Sequence, residues 1–169
     1  MDAAELRAMQ APIKERYKSD AKAALITLKA KGTLDDQSIA CKVETGRALA
    51  VAGLHPATGG SGLELCSGDM LLEALVACAG VTLKSVATAV DVPLTTGTVI
   101  AEGDLDFRGT LGVDKEAPVG FAEIRLRFEV GTEAPQDKLD LLLKLTERYC
   151  VVYQTIKNGP KVSVSMKQV

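Results

Sequence analysis

The chain has 169 residues, 47% of them apolar and 25% charged, which suits a single globular domain with room for a sizeable core. Its formal net charge is −2, Lys and Arg are scattered and Trp is absent, which argues against nucleic acid as a partner. The opening Met1-Asp2-Ala3-Ala4-Glu5-Leu6-Arg7 lacks the apolar core of a signal peptide, so a cytoplasmic location with reduced thiols is expected.

In chain order, residues 3–17 set Leu6, Met9, Ile13 and Tyr17 on one stripe, an amphipathic helix that Pro12 is expected to kink or split. Alternation at Ala24, Ile26 and Leu28 predicts a strand over 21–31. A turn at Gly32-Thr33-Leu34-Asp35-Asp36 and strands over 38–43 and 47–51 complete a three-stranded antiparallel meander. Residues 53–68 carry five of the fifteen glycines and form a long irregular loop ending at Ser67, the expected N-cap of the next helix, with Asp69 in its first turn.

From 70 to 90 the sequence is apolar almost all round (Leu71, Leu72, Leu75, Val76, Ala79, Val81, Leu83, Val86), with Glu73 and Lys84 inside it. That pattern predicts a core helix buried on every side, by the sheet or by a second subunit, and not a membrane span. Asp91-Val92-Pro93 stops it. A strand follows with Val99, Ala101, Leu105 and Phe107, then a charged connection over 109–120. The return strand has Ile124, Leu126, Phe128 and Val130 facing inward. One helix is expected over 134–156, with Leu139, Leu142, Leu143, Thr146, Tyr149, Cys150 and Tyr153 on its stripe. Gly159-Pro160 ends it, and Val162, Val164 and Met166 alternate as a last strand.

Chemistry in this chain points to its cysteines. Cys41, Cys66, Cys78 and Cys150 show no close-paired spacing, and the lone His55 has no ligand-like neighbours, so no metal site is expected. Cys78 and Cys150 share a context, each within an apolar helix. If the two helices pack, the sulfurs can meet, and a thiol that forms a sulfenic acid needs such a neighbour to resolve it. Cys66, at the end of the loop, reads either as an alternative resolving thiol or as a loop hydrophobe. Cys41 alternates with Ile39 and reads as core. Glu73 lies off the face of Cys78 and reads as a partner for a basic residue.

The segment from Asp69 to Cys78 followed by an apolar helix, and Arg148-Tyr149-Cys150-Val151-Val152-Tyr153-Gln154 followed by a Lys/Asn/Gly turn, resemble the two signatures of the OsmC/Ohr family. The resemblance runs from about residue 20 to 167 and makes 1–169 one OsmC-like domain, with 1–19 as an N-terminal helical extension. It implies an α+β fold with antiparallel sheets wrapped around a buried central helix, in an intertwined homodimer. It also implies a thiol peroxidase in which Cys78 attacks an organic hydroperoxide and Cys150 resolves the sulfenic acid. The resulting disulfide is reduced by an external dithiol such as a lipoyl group, with no bound cofactor.

Two departures accompany the match. Gly68 stands where the family's peroxidases carry a glutamate that orients an arginine, and no arginine occupies the matching places, Arg47 being the nearest. Val151 replaces the proline usual after the second cysteine. A second reading, a catalytically weakened dimer that binds a small apolar ligand in the same pocket, therefore stands beside the peroxidase.

Overall fold

The computed structural model describes residues 2–19, 31–34, 40–44 and 49–168. Helix α1 (Ala3–Ser19) comes first and is not split by Pro12. Its opening turn is closed by reciprocal bonds, Asp2 N–H to Glu5 Oε2 and Glu5 N–H to Asp2 Oδ1, both 2.8 Å. The strand expected over 21–31 lies outside the described residues except for Lys31. Strands β1 (Lys31–Leu34), β2 (Ala40–Glu44) and β3 (Leu49–Gly53) form an antiparallel meander. Strand β1 takes in Gly32, Thr33 and Leu34, which the sequence reading assigned to a turn.

Beyond β3 the glycine-bearing loop is ordered by its own side chains. His55 Nδ1 accepts the Ala57 N–H at 3.0 Å, and the imidazole stacks on Phe107 with centroids 4.9 Å apart. His55 is thus a half-buried anchor of the loop and not a plain surface residue. The two-residue strand β4 (Leu65–Cys66) runs parallel to β3 and directs the chain into helix α2 (Ser67–Ala89). Cys66, not Ser67, occupies the N-cap, with no side-chain cap bond. The helix ends where Asp91 turns to φ +58° and the Val92 N–H reaches back to Ala87 O at 2.9 Å.

Helix α2 packs against α1, β4, β5, α4 and α5. Leu75, Ala79, Leu83, Val86 and Ala87 form its buried stripe, at the three- and four-residue spacing of one helical face. The expectation of burial on every side is not met within one chain. Ala74, Ala77 and Val81, the last 69% exposed, lie along the opposite side, because the neighbouring elements cover α2 from one direction only. Among the described residues α2 is the one helix long and apolar enough to cross a membrane, and its packed stripe is that of a core helix.

Strand β5 (Thr96–Leu105), the short helix α3 (Phe107–Thr110) and strand β6 (Phe121–Gly131) follow, with β5 and β6 paired antiparallel in the register Val99↔Phe128 and Ala101↔Leu126. Period-two alternation turns Phe128 and Val130 toward the core built on Leu83, Val86, Ala87 and Leu142. On the other face Arg125 is braced by Asp104, Glu123 and Glu102. A Cβ at Gly103 would fall 2.5 Å from the Phe121 ring, so the absence of a side chain there lets that ring lie across β5.

The helix expected over 134–156 is two helices, α4 (Gln136–Tyr149) and α5 (Val151–Asn158), broken at Cys150. Cys150 adopts an extended φ −72°, ψ 107°, so the apolar stripe continues while the helical path does not. The Gln154 side chain ties the two together by donating to Glu147 O at 2.7 Å. No strand forms at Val162, Val164 and Met166. All three side chains are exposed, Val164 to 92%, and among the described residues this alternating segment has no strand partner.

Candidate functional site

Cys78 projects from the middle of α2, on the flank of its buried stripe, and is half-buried. Cys150 sits at the α4–α5 junction and is 1% exposed. Both are free thiols, and their side chains face each other closely enough for each to shift the other's ionisation. The two cysteines singled out by their helical contexts are therefore in contact. The break at Cys150 brings this about. It leaves the first N–H groups of α5 without helical partners, and those of Val151 and Val152 are directed at the Cys78 sulfur.

Electrostatics follow from that geometry. Burial raises the Cys78 pKa. The Val152 N–H, the Cys150 thiol, the Val151 N–H and the Thr82 hydroxyl together outweigh it and leave Cys78 below the ordinary thiol value of 9.0. Amides at a helix N-terminus carry partial positive charge and favour the thiolate. Burial pushes Cys150 the other way, and the neighbouring Cys78 adds to that rise. The Tyr153 N–H also faces the Cys150 sulfur, short of a capping hydrogen bond. The two thiols are shifted in opposite directions, so Cys78 is the more readily ionised of the pair.

Thr82 was not among the residues singled out in the sequence. Its hydroxyl donates to the Cys78 carbonyl oxygen at 2.8 Å and lies close enough to the Cys78 sulfur to favour its ionised form. A threonine one turn after a helical cysteine was the available signal. The amides of Val151 and Val152 carry no sequence signal at all, since they act through the backbone.

The remaining candidates stand apart. Cys66 precedes Cys78 by twelve residues on one helical path, about 18 Å at 1.5 Å per residue, which is beyond disulfide reach. Its sulfur is 3.6 Å from where a Cβ on Gly68 would lie. That Cβ would also touch Leu105 and Phe121 at 3.5 Å, so the position matched to the peroxidases' glutamate is apolar here. Glu73 is exposed and makes no ion pair with a described residue, against the expectation of a basic partner. Arg47, and the side chain of Cys41, lie outside the described residues. Arg148 is exposed and lies over the Tyr149 ring at 5.7 Å. Among the described residues no cation adds to the lowering of Cys78, and no group of three His, Cys, Asp or Glu side chains could hold a metal ion.

Two cavities lie against the elements that carry the pair. One of about 550 Å³ lies between β6 and the two C-terminal helices, lined by Leu75, Phe121, Leu126, Phe128, Tyr153 and Ile156 among others. A second, of about 510 Å³, lies between α1 and α2 and includes Thr82 and Tyr149.

A family model described as OsmC-like protein matches residues 59–165. No curated relative matches the sequence. The chain is similar in structure to an OsmC-like protein from Mycoplasma pneumoniae, with a TM-score of 0.65 and 16% identity, over 79% of this chain and 89% of that one. It is also similar to an organic hydroperoxide resistance protein OsmC from Legionella pneumophila (TM-score 0.61, 17% identity, 80% and 92% covered). A third likeness is to an organic hydroperoxide resistance protein from Elizabethkingia anophelis, crystallised with thiocyanate bound (TM-score 0.62, 16% identity, 80% and 91% covered). At these identities the structural likenesses establish a shared fold.

Proposed function

The chain belongs to the OsmC-like family, and from that premise we propose that it is a thiol-dependent peroxidase that reduces organic hydroperoxides through Cys78 and Cys150. The observation that carries this reading is the polarised contact between the two thiols. The Cys78 thiolate attacks the outer oxygen of the hydroperoxide. The S–O bond forms as the O–O bond breaks, giving a sulfenic acid and an alkoxide. The Cys150 thiol proton goes to the alkoxide, which leaves as the alcohol. The Cys150 thiolate then attacks the Cys78 sulfur, and the expelled hydroxide takes up the proton that Cys78 first gave to solvent, leaving as water. Two electrons from an external dithiol reopen the disulfide by thiol–disulfide exchange. The aliphatic surroundings suit an organic peroxide. The exposed apolar row on α2 supports a homodimer in which a second copy covers it. A reducing cytoplasm would keep the resting pair as thiols.

Peptide mapping tests the reading directly. After one equivalent of cumene hydroperoxide the reduced protein should yield a Cys78–Cys150 disulfide as its main cross-link. A Cys66–Cys78 bridge, or sulfonic acid at Cys78 with Cys150 still free, would remove Cys150 as the resolving thiol.

A further consequence concerns how the thiolate is held. The family's peroxidases use an arginine. Here the first turn of α5 takes its place, so Val151→Pro is an informative change. Proline suits the first helical position, and Cys150 already has the extended backbone that a residue before proline prefers. The substitution should leave the fold intact and delete one N–H donor to Cys78. Alkylation by iodoacetamide should show Cys78 reaching half its maximal rate below pH 9.0 in the wild type. In Val151→Pro that midpoint should move up and the rate at pH 7 should fall about three- to tenfold. An unchanged pH profile would show that the α5 amides do not hold the thiolate.

A further inference from the structure

The matched family segment begins at residue 59, and α1 lies wholly outside it. Helix α1 is nevertheless seated on the core. Leu6 is buried, only 6% exposed, and α1 packs directly against α2. Between the two helices is the cavity of about 510 Å³, walled by Leu6 and Gln10 from α1 and by Val81, Thr82 and Ser85 from α2, with Tyr149 at its side. Its position relative to the thiols distinguishes it from the β6 cavity. Thr82 both lines it and donates its hydroxyl to the Cys78 carbonyl oxygen at 2.8 Å, one helical turn from that cysteine, whereas no residue lining the β6 cavity is bonded to Cys78. Tyr149, which also lines the space, is the residue before Cys150. Its walls are mostly methyl and methylene groups, interrupted by the Thr82, Ser85 and Tyr149 hydroxyls and the Gln10 amide.

We propose that the α1–α2 cavity holds the organic group of the hydroperoxide, so that α1 is a specificity-determining wall of the active site. The inference rests on the peroxidase reading of Cys78 and deepens it. A peroxide oxygen at the Cys78 sulfur lies within one helical turn of Thr82, and its hydrocarbon substituent extends over Val81 and Ser85 beneath α1. A cavity of this size accommodates a substituent of the bulk of a cumyl group and gives hydrogen peroxide nothing to fill it. Discrimination between large and small peroxides therefore resides in α1 and the facing turn of α2, while the thiols themselves are indifferent to the substituent.

Two full-length variants fill the cavity from opposite walls, Ser85→Phe on α2 and Gln10→Phe on α1, each checked for folding by circular dichroism. Two readings are taken: the ratio of kcat/KM for cumene hydroperoxide to that for hydrogen peroxide, and binding of the unreactive product alcohol, 2-phenyl-2-propanol, by saturation-transfer NMR. The ratio should fall about tenfold or more in both variants, the scale on which apolar pockets discriminate by size, and the alcohol signal should vanish. An unchanged ratio with undiminished alcohol binding in a folded variant overturns the assignment. So does an equal fall for both peroxides, because the effect would then be on the thiols. If the wild type turns over no peroxide but loses its alcohol signal in both variants, the pocket stands and the peroxidase reading falls.

Discussion

Cys78→Ser should abolish peroxide consumption, with a loss on the order of 10⁴-fold or more, the scale on which removal of a catalytic nucleophile is felt. The serine hydroxyl is not ionised near neutral pH, so the four donors around the sulfur would have no anion to stabilise. Cys150→Ser should behave differently. Its Cys78 still meets the peroxide, so the first equivalent should be consumed and turnover should then stop, with a sulfenic acid trapped by dimedone at Cys78. The serine hydroxyl is a far weaker acid than the Cys150 thiol and a poor proton source for the leaving alkoxide, so even that first step should be slower than in the wild type. Stopped-flow measurement with cumene hydroperoxide and a dithiol, followed by mass spectrometry, separates the two variants. Wild-type consumption no faster than that of Cys78→Ser would end the peroxidase reading and leave the ligand-binding dimer.

The second large effect concerns association. Ala74, Ala77 and Val81 recur at three- and four-residue spacing on the exposed side of α2, the arrangement that two helices need in order to pack closely. Wild-type protein should sediment at twice the 17.8 kDa of one chain. Ala77→Glu should sediment as a monomer at micromolar concentration. A carboxylate forced into that contact would lack a partner, and an uncompensated buried charge costs about 3–5 kcal/mol, or two to four orders of magnitude in the dissociation constant. Ala77 points away from Leu75 and Ala79 on the helix, so the isolated fold should survive the change. A wild-type monomer, or an Ala77→Glu dimer, would assign the row to solvent.

The outline of the molecule was legible where periodicity is strong. The alternation through Ile124, Leu126, Phe128 and Val130 gives β6, and the apolar run around Leu75 to Val86 gives α2. The reading erred where a pattern has two structural solutions. An apolar stripe through Tyr149, Cys150 and Tyr153 persists across a helix break as well as along one helix, and no Gly or Pro marks the junction. Alternation at Val162, Val164 and Met166 describes what a segment could pair with, not whether a partner is present in the same chain. Of the site, the two cysteines were visible as residue types in matching contexts. What activates one of them was not. A sequence shows cationic side chains, but two of the groups that lower Cys78 are backbone amides exposed by the break at Cys150, which leave no mark in it.

That break has a thermodynamic side. The donors that favour the Cys78 thiolate act on the reduced pair alone, since a sulfur committed to a disulfide carries no negative charge for them to meet. Stabilising one member of a redox couple shifts its reduction potential toward that member, here toward a more positive value. The proposed cross-link between Cys78 and Cys150 would accordingly be an electron acceptor ready to be reopened, suited to a bond made and broken in every cycle and ill suited to serve as a permanent brace.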